Sequence, residues 1–284
     1  MNMELLQLKY FCDAAENENF SKTAQKFNVP PSNISQTVNR LEKELGISLF
    51  DRSANRITLN ERGRKFYENI KSGLEKIEDA KKIISEKEDE LTGEIYLQVI
   101  TNRRIVTEAI EKFRLEYPKV SFVINHSSIL DEKSDLIITD NITDENSLEK
   151  KLLVTEDILL AISKNNPLAK EKSLKISDLK NERFITMPKE SSLYNITKEL
   201  CRDFFPNIAI MTDDPFYIRK YIELGLGIAF VPAFSWKGQF PENVVLKNIG
   251  NFKRHTHIYY SKTRYMSNAA KQFIKALTLQ VLAP

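Results

Sequence analysis

Residues 30–46 of the chain read PPSNISQTVNRLEKELG, which predicts a helix with both ends defined by the sequence. Pro31 suits a first helical turn, because its missing N–H would have no partner there. Gly46 supplies the left-handed residue that commonly ends a helix. Apolar residues recur at helical spacing between these two ends, at Ile34, Val38, Leu41 and Leu45. One face of the helix is therefore predicted to be buried.

The opposite face carries hydroxyl, amide and basic side chains, and we call it the polar face. It consists of Ser32, Gln36, Asn39 and Lys43, with Ser35 and Arg40 on its two flanks. Gln and Asn can bond to an adenine edge in the major groove of DNA, and Lys or Arg can reach guanine or phosphate. An ordinary solvated helix surface is the alternative interpretation of this helix taken alone.

The residues before this helix favour the DNA interpretation. Residues 19–27 predict a short helix, with Ser21 as its N-cap and with Ala24 and Phe27 pointing inward. Residues 28–30 then predict a tight turn. A short helix, a tight turn and a longer polar-faced helix form a helix-turn-helix, whose second helix enters the major groove.

The residues after the helix predict a hairpin. Residues 47–52 and 56–59 read as two short strands around Ser53-Ala54-Asn55. Arg52 and Arg56 lie at its base, where they are either phosphate contacts of a wing or ordinary surface charges. The predicted DNA-binding residues are Ser21, Thr23, Pro31, Ser32, Ser35, Gln36, Asn39, Arg40, Lys43, Arg52 and Arg56.

This region resembles the LysR-type transcriptional regulators. The resemblance rests on Leu8, Phe11, Ala14-Ala15, Ser21, Ala24, Ser35, Arg40-Leu41-Glu42, Leu45-Gly46, Leu49-Phe50, Arg52, Leu59 and Gly63. Three positions depart from the family pattern: Gln36, where the family more often carries Arg, Asn60 for Thr, and Arg62 for Ala. The first departure bears on which bases are read. Asn60 remains a good N-cap.

The length of 284 residues predicts two or three folded units. A formal charge of +3 is only mildly basic, so DNA binding depends on where the charges lie. Cys12 and Cys201 lie far apart and outside any C-x-x-C motif, which predicts buried thiols and neither a disulfide scaffold nor a zinc site. The sequence shows no signal peptide and no run of transmembrane length, so we expect a cytoplasmic location without membrane association.

Two helices frame the predicted DNA-binding unit. The first ends near Asn17, and the second is long, from Glu61 to about Glu88. The long helix has a narrow apolar stripe, which reads as a dimerising coiled coil; packing against its own domain is the alternative. The stripe consists of Phe66, Ile70, Ile77, Ala80 and Ile84. In the resembling family this segment is the linker helix that pairs subunits, which implies a homodimer or homotetramer.

The remaining chain alternates predicted strands with helices, and Leu91-Thr92-Gly93 marks the boundary. The expected fold is α+β and multidomain: a winged helix-turn-helix (1–60), a linker helix (61–91) and a two-lobed α/β domain like the periplasmic binding proteins (92–284). Lobe 1 is expected at 92–155 and 254–284, and lobe 2 at 156–253. The strand at 255–261 and the helix at 267–282 are expected to return to lobe 1. Predicted strands lie at 94–100, 120–124, 135–139, 158–163, 183–187, 208–212 and 228–231, and predicted helices at 103–116, 191–205 and 215–224.

The resemblance implies an effector cleft between the lobes. Its expected residues are Thr101, Asn102, Arg103, Ser127, Ser128, Glu190, Ser191 and Ser192. Hydroxyls, arginines and helix N-termini favour an anionic metabolite. The alternative is that Thr101 and Ser191 are helix caps and the arginines are solvated. Residues 125–134 leave room for at most one helical turn where the family has a helix, so the cleft is expected to be wider, differently closed or absent.

The sequence gives little support to catalysis. His126, His255 and His257 match no metal-ligand spacing, and Gly225-Leu226-Gly227 lacks the third glycine of a dinucleotide motif. We therefore predict a regulator without enzymatic activity or cofactor. Its expected partners are an operator in double-stranded DNA, itself, a small-molecule effector and RNA polymerase. The alternative function is a stand-alone small-molecule-binding protein whose N-terminal region only mediates assembly.

Overall fold

The computed structural model describes residues 3–53, 56–85, 91–131, 133–142 and 146–282. The chain forms two compact units, Met1–Ser85 and Glu86–Pro284. The first unit contains the predicted helix-turn-helix and the long helix. The second contains the alternating strands and helices.

The first unit has four helices and one hairpin. Its elements are α1 (Leu5–Asn17), α2 (Phe20–Lys26), α3 (Pro31–Leu45), β1 (Phe50–Ser53), β2 (Arg56–Leu59) and α4 (Glu61–Ser85). Both predicted ends of α3 are confirmed, since Pro31 lies in its first turn and Gly46 ends it with a left-handed φ of 69°. The N-cap of α2 was predicted wrongly. The side chain of Asn19, not that of Ser21, accepts the capping bond, from the N–H of Lys22 at 3.0 Å.

The apolar face of α3 forms the centre of this unit's core. Ile34, Val38 and Leu41 are completely buried, together with Phe11 of α1 and Leu49 before the hairpin. Each such side chain contributes about 1.5–3 kcal/mol by leaving water. The core therefore fixes α3 with its polar face turned outward.

The first half of α4 belongs to the same core. Phe66 and Ile70 pack against it, and the ring centroid of Phe66 lies 5.2 Å from that of Phe11. Phe66 and Ile70 therefore do not belong to the dimerising stripe, contrary to the prediction. An apolar stripe on a helix indicates that this face is covered, but it does not indicate whether the cover is another subunit or the helix's own unit. Further along α4, Ile77, Ile84 and the unpredicted Ile83 are 42%, 85% and 51% exposed, and Ala80 is also exposed.

The predicted N-cap Asn60 is confirmed, because its side chain accepts a 2.8 Å bond from the N–H of Gly63. The predicted hairpin is also confirmed. Its strands pair antiparallel, with Phe50 opposite Leu59 and Ser53 opposite Arg56. The predicted turn residues Ala54 and Asn55, and residues 86–90 at the predicted end of the long helix, lie outside the described residues.

The second unit alternates strands and helices. Its elements are β3 (Gly93–Val99), α5 (Arg103–Glu116), β4 (Val120–Asn125), β5 (Leu136–Thr139), β6 (Leu148–Ser163), β7 (Arg183–Thr186), α6 (Ser192–Leu200), β8 (Asn207–Met211), α7 (Pro215–Glu223), β9 (Ala229–Pro232), β10 (Val244–Lys247), β11 (Lys253–Ser261) and α8 (Asn268–Leu282). Short 3-10 helices cover Pro167–Lys170 and Ile176–Leu179.

Two long strands connect the lobes. The main sheet has the order β10-β6-β11-β5-β3-β4, with β9 also paired to β6, while β7 and β8 form a separate parallel pair. The first half of β6 pairs with β11, and its second half pairs with β9 and β10. The sequence predicted β6 only from Ile158, because residues 148–152 are mostly exposed and lack the expected alternation.

Each lobe has its own core. Lobe 1 is built around β3, α5 and α8, where the rings of Phe113 and Phe273 lie 5.2 Å apart. Lobe 2 is built around β6, β7 and β9, with Phe184 completely buried. The final strand and helix lie with the elements of lobe 1, since β11 pairs with β5 and α8 packs on α5.

The short segment after β4 is held by a buried glutamine. Among its described residues, 125–131 and 133–134, none is helical. Gln98 donates bonds of 2.8 and 2.7 Å to the carbonyl oxygens of Ser127 and Ile129, and its own oxygen accepts from the N–H of Asp131 at 2.9 Å. These bonds give a fixed path to a segment that is too short for a complete helix.

Candidate nucleic-acid interface and ligand cleft

The polar face of α3 is accessible as the sequence predicted. Ser32, Gln36, Arg40 and Lys43 are exposed, and the flanking Ser35 and central Asn39 are half-buried. Pro31 and Ser21 are also exposed. Since Val38 on the opposite side is completely buried, the helix cannot rotate without losing its core contacts.

Thr23 is removed from the predicted DNA contacts. Its side chain is completely buried, and its hydroxyl donates to the carbonyl oxygen of Asn19 at 3.2 Å. A side chain in this position cannot reach a base or a phosphate at the surface. The short helix predicted from the sequence turns Thr23, together with Ala24, into the core.

Glu42 connects α3 to the hairpin. One of its carboxylate oxygens accepts bonds from the N–H groups of Leu49 and Phe50, at 2.6 and 3.1 Å. The other oxygen binds Arg52 at 2.8 Å. Because Glu42 lies in the same helix as the polar face, these bonds fix the position of the hairpin relative to it.

The two arginines of the hairpin have different surroundings. Arg52 binds Glu42, and its guanidinium lies 5.6 Å from the centre of the Phe20 ring. Arg56 is exposed and has no ion pair among the described residues. Arg56 is therefore the better candidate for a phosphate contact, whereas Arg52 primarily orders the hairpin.

The second unit contains a cleft of about 270 Å³ between its lobes. Seven of the eight predicted effector residues line it: Thr101, Asn102, Arg103, Ser128, Glu190, Ser191 and Ser192. Ser127 does not. Its hydroxyl instead accepts a bond from the N–H of Ile129 and so supports the loop. The short segment after β4 thus leaves a cleft in place.

A buried charge cluster lies beside this cleft. Arg254 of β11 bonds to Glu156 of β6 at 2.7 Å and to Asp140 at 3.2 Å, and all three side chains are at most 5% exposed. Glu156 also accepts bonds from the N–H and hydroxyl of Ser235. The cluster therefore links the two connecting strands to each other and to the lining of the cleft.

Asp140 also contacts lobe 2. Its Oδ2 atom accepts a 2.5 Å bond from the hydroxyl of Ser192, at the start of α6. Asp140 itself directly follows β5 of lobe 1. This hydrogen bond therefore spans the cleft.

Three helices begin at the cleft, and their first turns differ. Ser191 caps α6 by accepting from the N–H of Tyr194 at 3.1 Å, and Asp214 caps α7 by accepting from the N–H of Phe216 at 2.8 Å. Asn102 precedes α5 in a left-handed conformation, with φ 58°, and provides no side-chain cap. The first N–H groups of α5 are thus left for another acceptor, which suits an anion.

The arginines of the cleft are mostly engaged. Arg104 binds Glu108 at 2.5 Å and the carbonyl oxygen of Phe234 at 2.9 Å. Arg219 stacks 5.1 Å from the Trp236 ring, and burial lowers its pKa. Arg103 is exposed and has no ion pair among the described residues.

Sequence reasoning missed several cleft residues. They are Asp140, Asp214, Phe216, Arg219, Trp236, Gln239 and Arg254. Most lie in loops or helices far along the chain, where no local pattern marks them. Only Asp140 carried a local signal, as an acid directly after a buried strand in an α/β fold.

The two cysteines are buried as predicted. Burial raises the pKa of Cys201 to about 11. Burial, and then the negative charge of Glu16, raise the pKa of Cys12 to about 12. Both side chains are therefore thiols at neutral pH.

The helix-turn-helix region and the two-lobed domain each match a family model. Residues 5–64 match the bacterial regulatory helix-turn-helix proteins of the lysR family, and residues 88–281 match the LysR substrate binding domain. The chain belongs to the LysR family. It is a DNA-binding transcriptional regulator with a small-molecule-binding domain, and the alternative of a stand-alone binding protein is not supported.

Individual family members resemble the chain along its full length. The transcriptional dual regulator GltC of Bacillus subtilis is 29% identical over 285 residues, which cover 95% of each chain. Full-length OxyR from Pseudomonas aeruginosa has the same fold, with a TM-score of 0.72, 19% identity and coverage of 100% of this chain and 96% of that one. CbnR, solved with its target DNA, gives a TM-score of 0.63 at 19% identity over 98% and 100% of the chains.

No described helix is both long and apolar enough to cross a membrane. The described part of the chain also has no group of three or more His, Cys, Asp and Glu side chains placed to hold a metal ion.

Proposed function

We propose that this LysR-family regulator binds a two-fold symmetric operator as a homodimer or homotetramer, with the polar face of α3 in the major groove. The observation that carries the proposal is the outward-facing row Ser32, Gln36 and Asn39 on a helix whose other side is locked into the core. Amide side chains in this position suit adenine edges. Arg56 of the hairpin is the proposed backbone contact.

The exposed end of α4 supports subunit pairing. Ile77, Ala80, Ile83 and Ile84 are exposed on a helix that is otherwise mostly charged. Exposed apolar side chains at helical spacing are stabilised when a second helix covers them. The proposed subunit contact is therefore this end of α4, within the segment 61–91 that we assign as the linker.

The cleft is the proposed effector site. The uncapped start of α5 and the exposed Arg103 favour an acidic group on the ligand. Thr101 supports this assignment, because its hydroxyl oxygen is buried without a hydrogen-bond partner and the residue lines the cleft. A ligand atom there would satisfy it.

The proposed mechanism is a shift between two states of the lobes. A ligand that binds one arrangement of the lobes better than the other changes the population of each. The two subunits then present their α3 helices to the operator at a different spacing, and contact with RNA polymerase changes accordingly. The expected place of action is the cytoplasm, where the operator lies.

Operator binding tests this function directly. A library of DNA fragments from the source genome is bound to the full-length protein, and the enriched site is then titrated with and without small carboxylic acids and amino acids. We expect a salt-dependent, sequence-specific complex whose affinity or footprint changes at saturating ligand. If no DNA is enriched over random sequence, the DNA-binding proposal fails; if enrichment occurs but no ligand of the panel changes the complex, the effector proposal fails.

A further inference from the structure

Asp140 has one carboxylate oxygen that the protein leaves open. Its side chain is only 4% exposed, and its Oδ2 atom is bound by Ser192 and Arg254. Its Oδ1 atom has no hydrogen bond within the part of the chain that the structure describes. Because Asp140 lines the cleft, this acceptor is available to a ligand there.

Asp140 has fewer hydrogen-bond donors than its neighbour Glu156. Arg254 is shared between these two buried carboxylates. Glu156 also accepts bonds from the N–H groups of Phe234 and Ser235 and from the hydroxyl of Ser235, whereas Asp140 has only Ser192 besides Arg254 among the described residues. A cationic ligand group with N–H donors would pair with the open oxygen of Asp140 and add a second positive charge to the cluster.

A buried acceptor without a partner lies at the same edge of the sheet, on Asn102. Asn102 is 5% exposed and lines the cleft. Its amide nitrogen donates to the hydroxyl of Thr256 at 2.6 Å, but its oxygen has no partner. Asn102 and Asp140 follow β3 and β5, which are neighbouring parallel strands about 5 Å apart. The open oxygen of Asp140 and the unpartnered oxygen of Asn102 thus follow neighbouring strands and line the same cleft.

The start of α5, which also borders the cleft, favours the opposite kind of ligand group. The first N–H groups of the 14-residue helix α5 are not capped, and Arg103 is exposed beside them. This side favours an acidic group. The cleft therefore has an acceptor region and a donor region, which adjoin in the sequence at the consecutive residues Asn102 and Arg103.

We propose that the effector carries a protonated amine next to an acidic group, as α-amino acids do, and that Asp140 binds the amine. The acidic group would then contact the start of α5. This inference rests on the proposed effector function and adds the chemical class of the ligand. It also makes Asp140 the residue that separates amino acids from other small acids.

Matched pairs of ligands test the proposal. Each pair consists of an L-α-amino acid and the 2-oxo acid with the same carbon skeleton, which differ only at the α-carbon, where a carbonyl oxygen replaces the protonated amine. Binding to the full-length protein is measured by thermal shift and by calorimetry. We expect at least one amino acid to bind saturably, and to bind roughly 10-fold or more tightly than its 2-oxo acid, because a charge-assisted hydrogen bond is lost in the oxo acid.

Two variants test whether Asp140 causes the difference in affinity between amino acids and 2-oxo acids. Asp140→Asn keeps an oxygen for Ser192 and Arg254 but removes the charge, so it should abolish the preference for the amino acid. Asp203→Asn removes the same charge from an exposed site in the same unit and should preserve it. Circular dichroism checks that both variants are folded. If Asp140→Asn does not fold, the comparison of each ligand pair on the unmodified protein still tests the proposal.

Two outcomes overturn the proposal: oxo acids that bind as tightly as their amino acids, or a panel in which no amino acid binds. These outcomes are distinguishable from failure of the effector function. If a 2-oxo acid binds as tightly as its amino acid and changes operator affinity, the function stands and the amine preference falls. If an amino acid binds through Asp140 without any change at the operator, the ligand class stands and the regulatory role of the cleft falls.

Discussion

The hydroxyl of Ser192 donates a 2.5 Å hydrogen bond to Oδ2 of Asp140, and this bond joins the two lobes across the cleft. Ser192 begins α6 in lobe 2, whereas Asp140 follows β5 in lobe 1. The same carboxylate is anchored by Arg254, which belongs to one of the two strands that connect the lobes. A ligand at Asp140 would therefore act directly on the contact that holds the lobes together.

Removing this hydroxyl should loosen the cleft. Ser192→Ala deletes a hydrogen bond to a buried carboxylate, so the free energy of unfolding of the second unit should fall by about 1–3 kcal/mol. Hydrogen exchange at the start of α6 should also become faster. Ser177→Ala is the matched control, because the hydroxyl of this exposed serine donates to the neighbouring Asp178 and to no other described residue. Equal exchange rates in both variants would show that the bond does not hold the lobes closed.

The hairpin arginines should separate into two roles. Arg56→Ala should weaken binding to all DNA sequences and lower the slope of log affinity against log salt by about 1, with little change in stability. Arg52→Ala should lower the melting temperature, because it leaves Glu42 without its 2.8 Å partner. Salt titrations by fluorescence anisotropy, together with thermal unfolding, measure both. An unchanged salt slope in Arg56→Ala would exclude it as a phosphate contact.

The exposed end of α4 should control assembly. Ile84→Glu places a charge on a position that is 85% exposed in the single chain, so the fold should be retained while subunit pairing is weakened. Sedimentation equilibrium should show a dissociation constant raised by at least tenfold. Ile129→Glu, an equally exposed position on the second unit, is the control. A mass that stays unchanged in Ile84→Glu would place the subunit contact elsewhere.

The cysteines should be unreactive in the folded protein. Burial raises the pKa of Cys201 from an ordinary value of 9.0 to about 11, so the reactive thiolate is scarce at pH 8. The folded state favours the thiol form, and this contribution to stability is present below pH 9 and is lost as the pH rises towards 11. Ellman's reagent should react with both cysteines only after addition of denaturant. Rapid labelling of the native protein at pH 8 would contradict the buried placement.

Local signals in the sequence predicted much of the fold. The ends of α3 follow from Pro31 and Gly46, and the buried side of α3 follows from its apolar spacing. Strands and helices of the second unit were found wherever the alternation is clear, for example at α5. By contrast, the first part of β6 was missed because both of its faces are largely solvated there.

Contacts between distant residues could not be predicted. Nothing near Arg52 indicates that Glu42 binds it, ten positions earlier, and nothing near Phe66 indicates that its partner is the core of its own unit. The cluster of Asp140, Glu156 and Arg254 combines three separate parts of the chain. Such contacts depend on how elements pack, which periodicity along the sequence does not encode.

We propose that the polar face of α3 reads bases. This role is tested most directly by measuring the affinity of the wild-type protein and of Gln36→Ala for a site selected in vitro and for random DNA. The selected site should consist of two half-sites related by two-fold symmetry, with centres about 10–10.5 base pairs apart or a multiple of this. Gln36→Ala should lose roughly 1–3 kcal/mol on that site and almost nothing on random DNA. Equal losses on both kinds of DNA, or none on either, would contradict the assignment of this face as the base-reading surface.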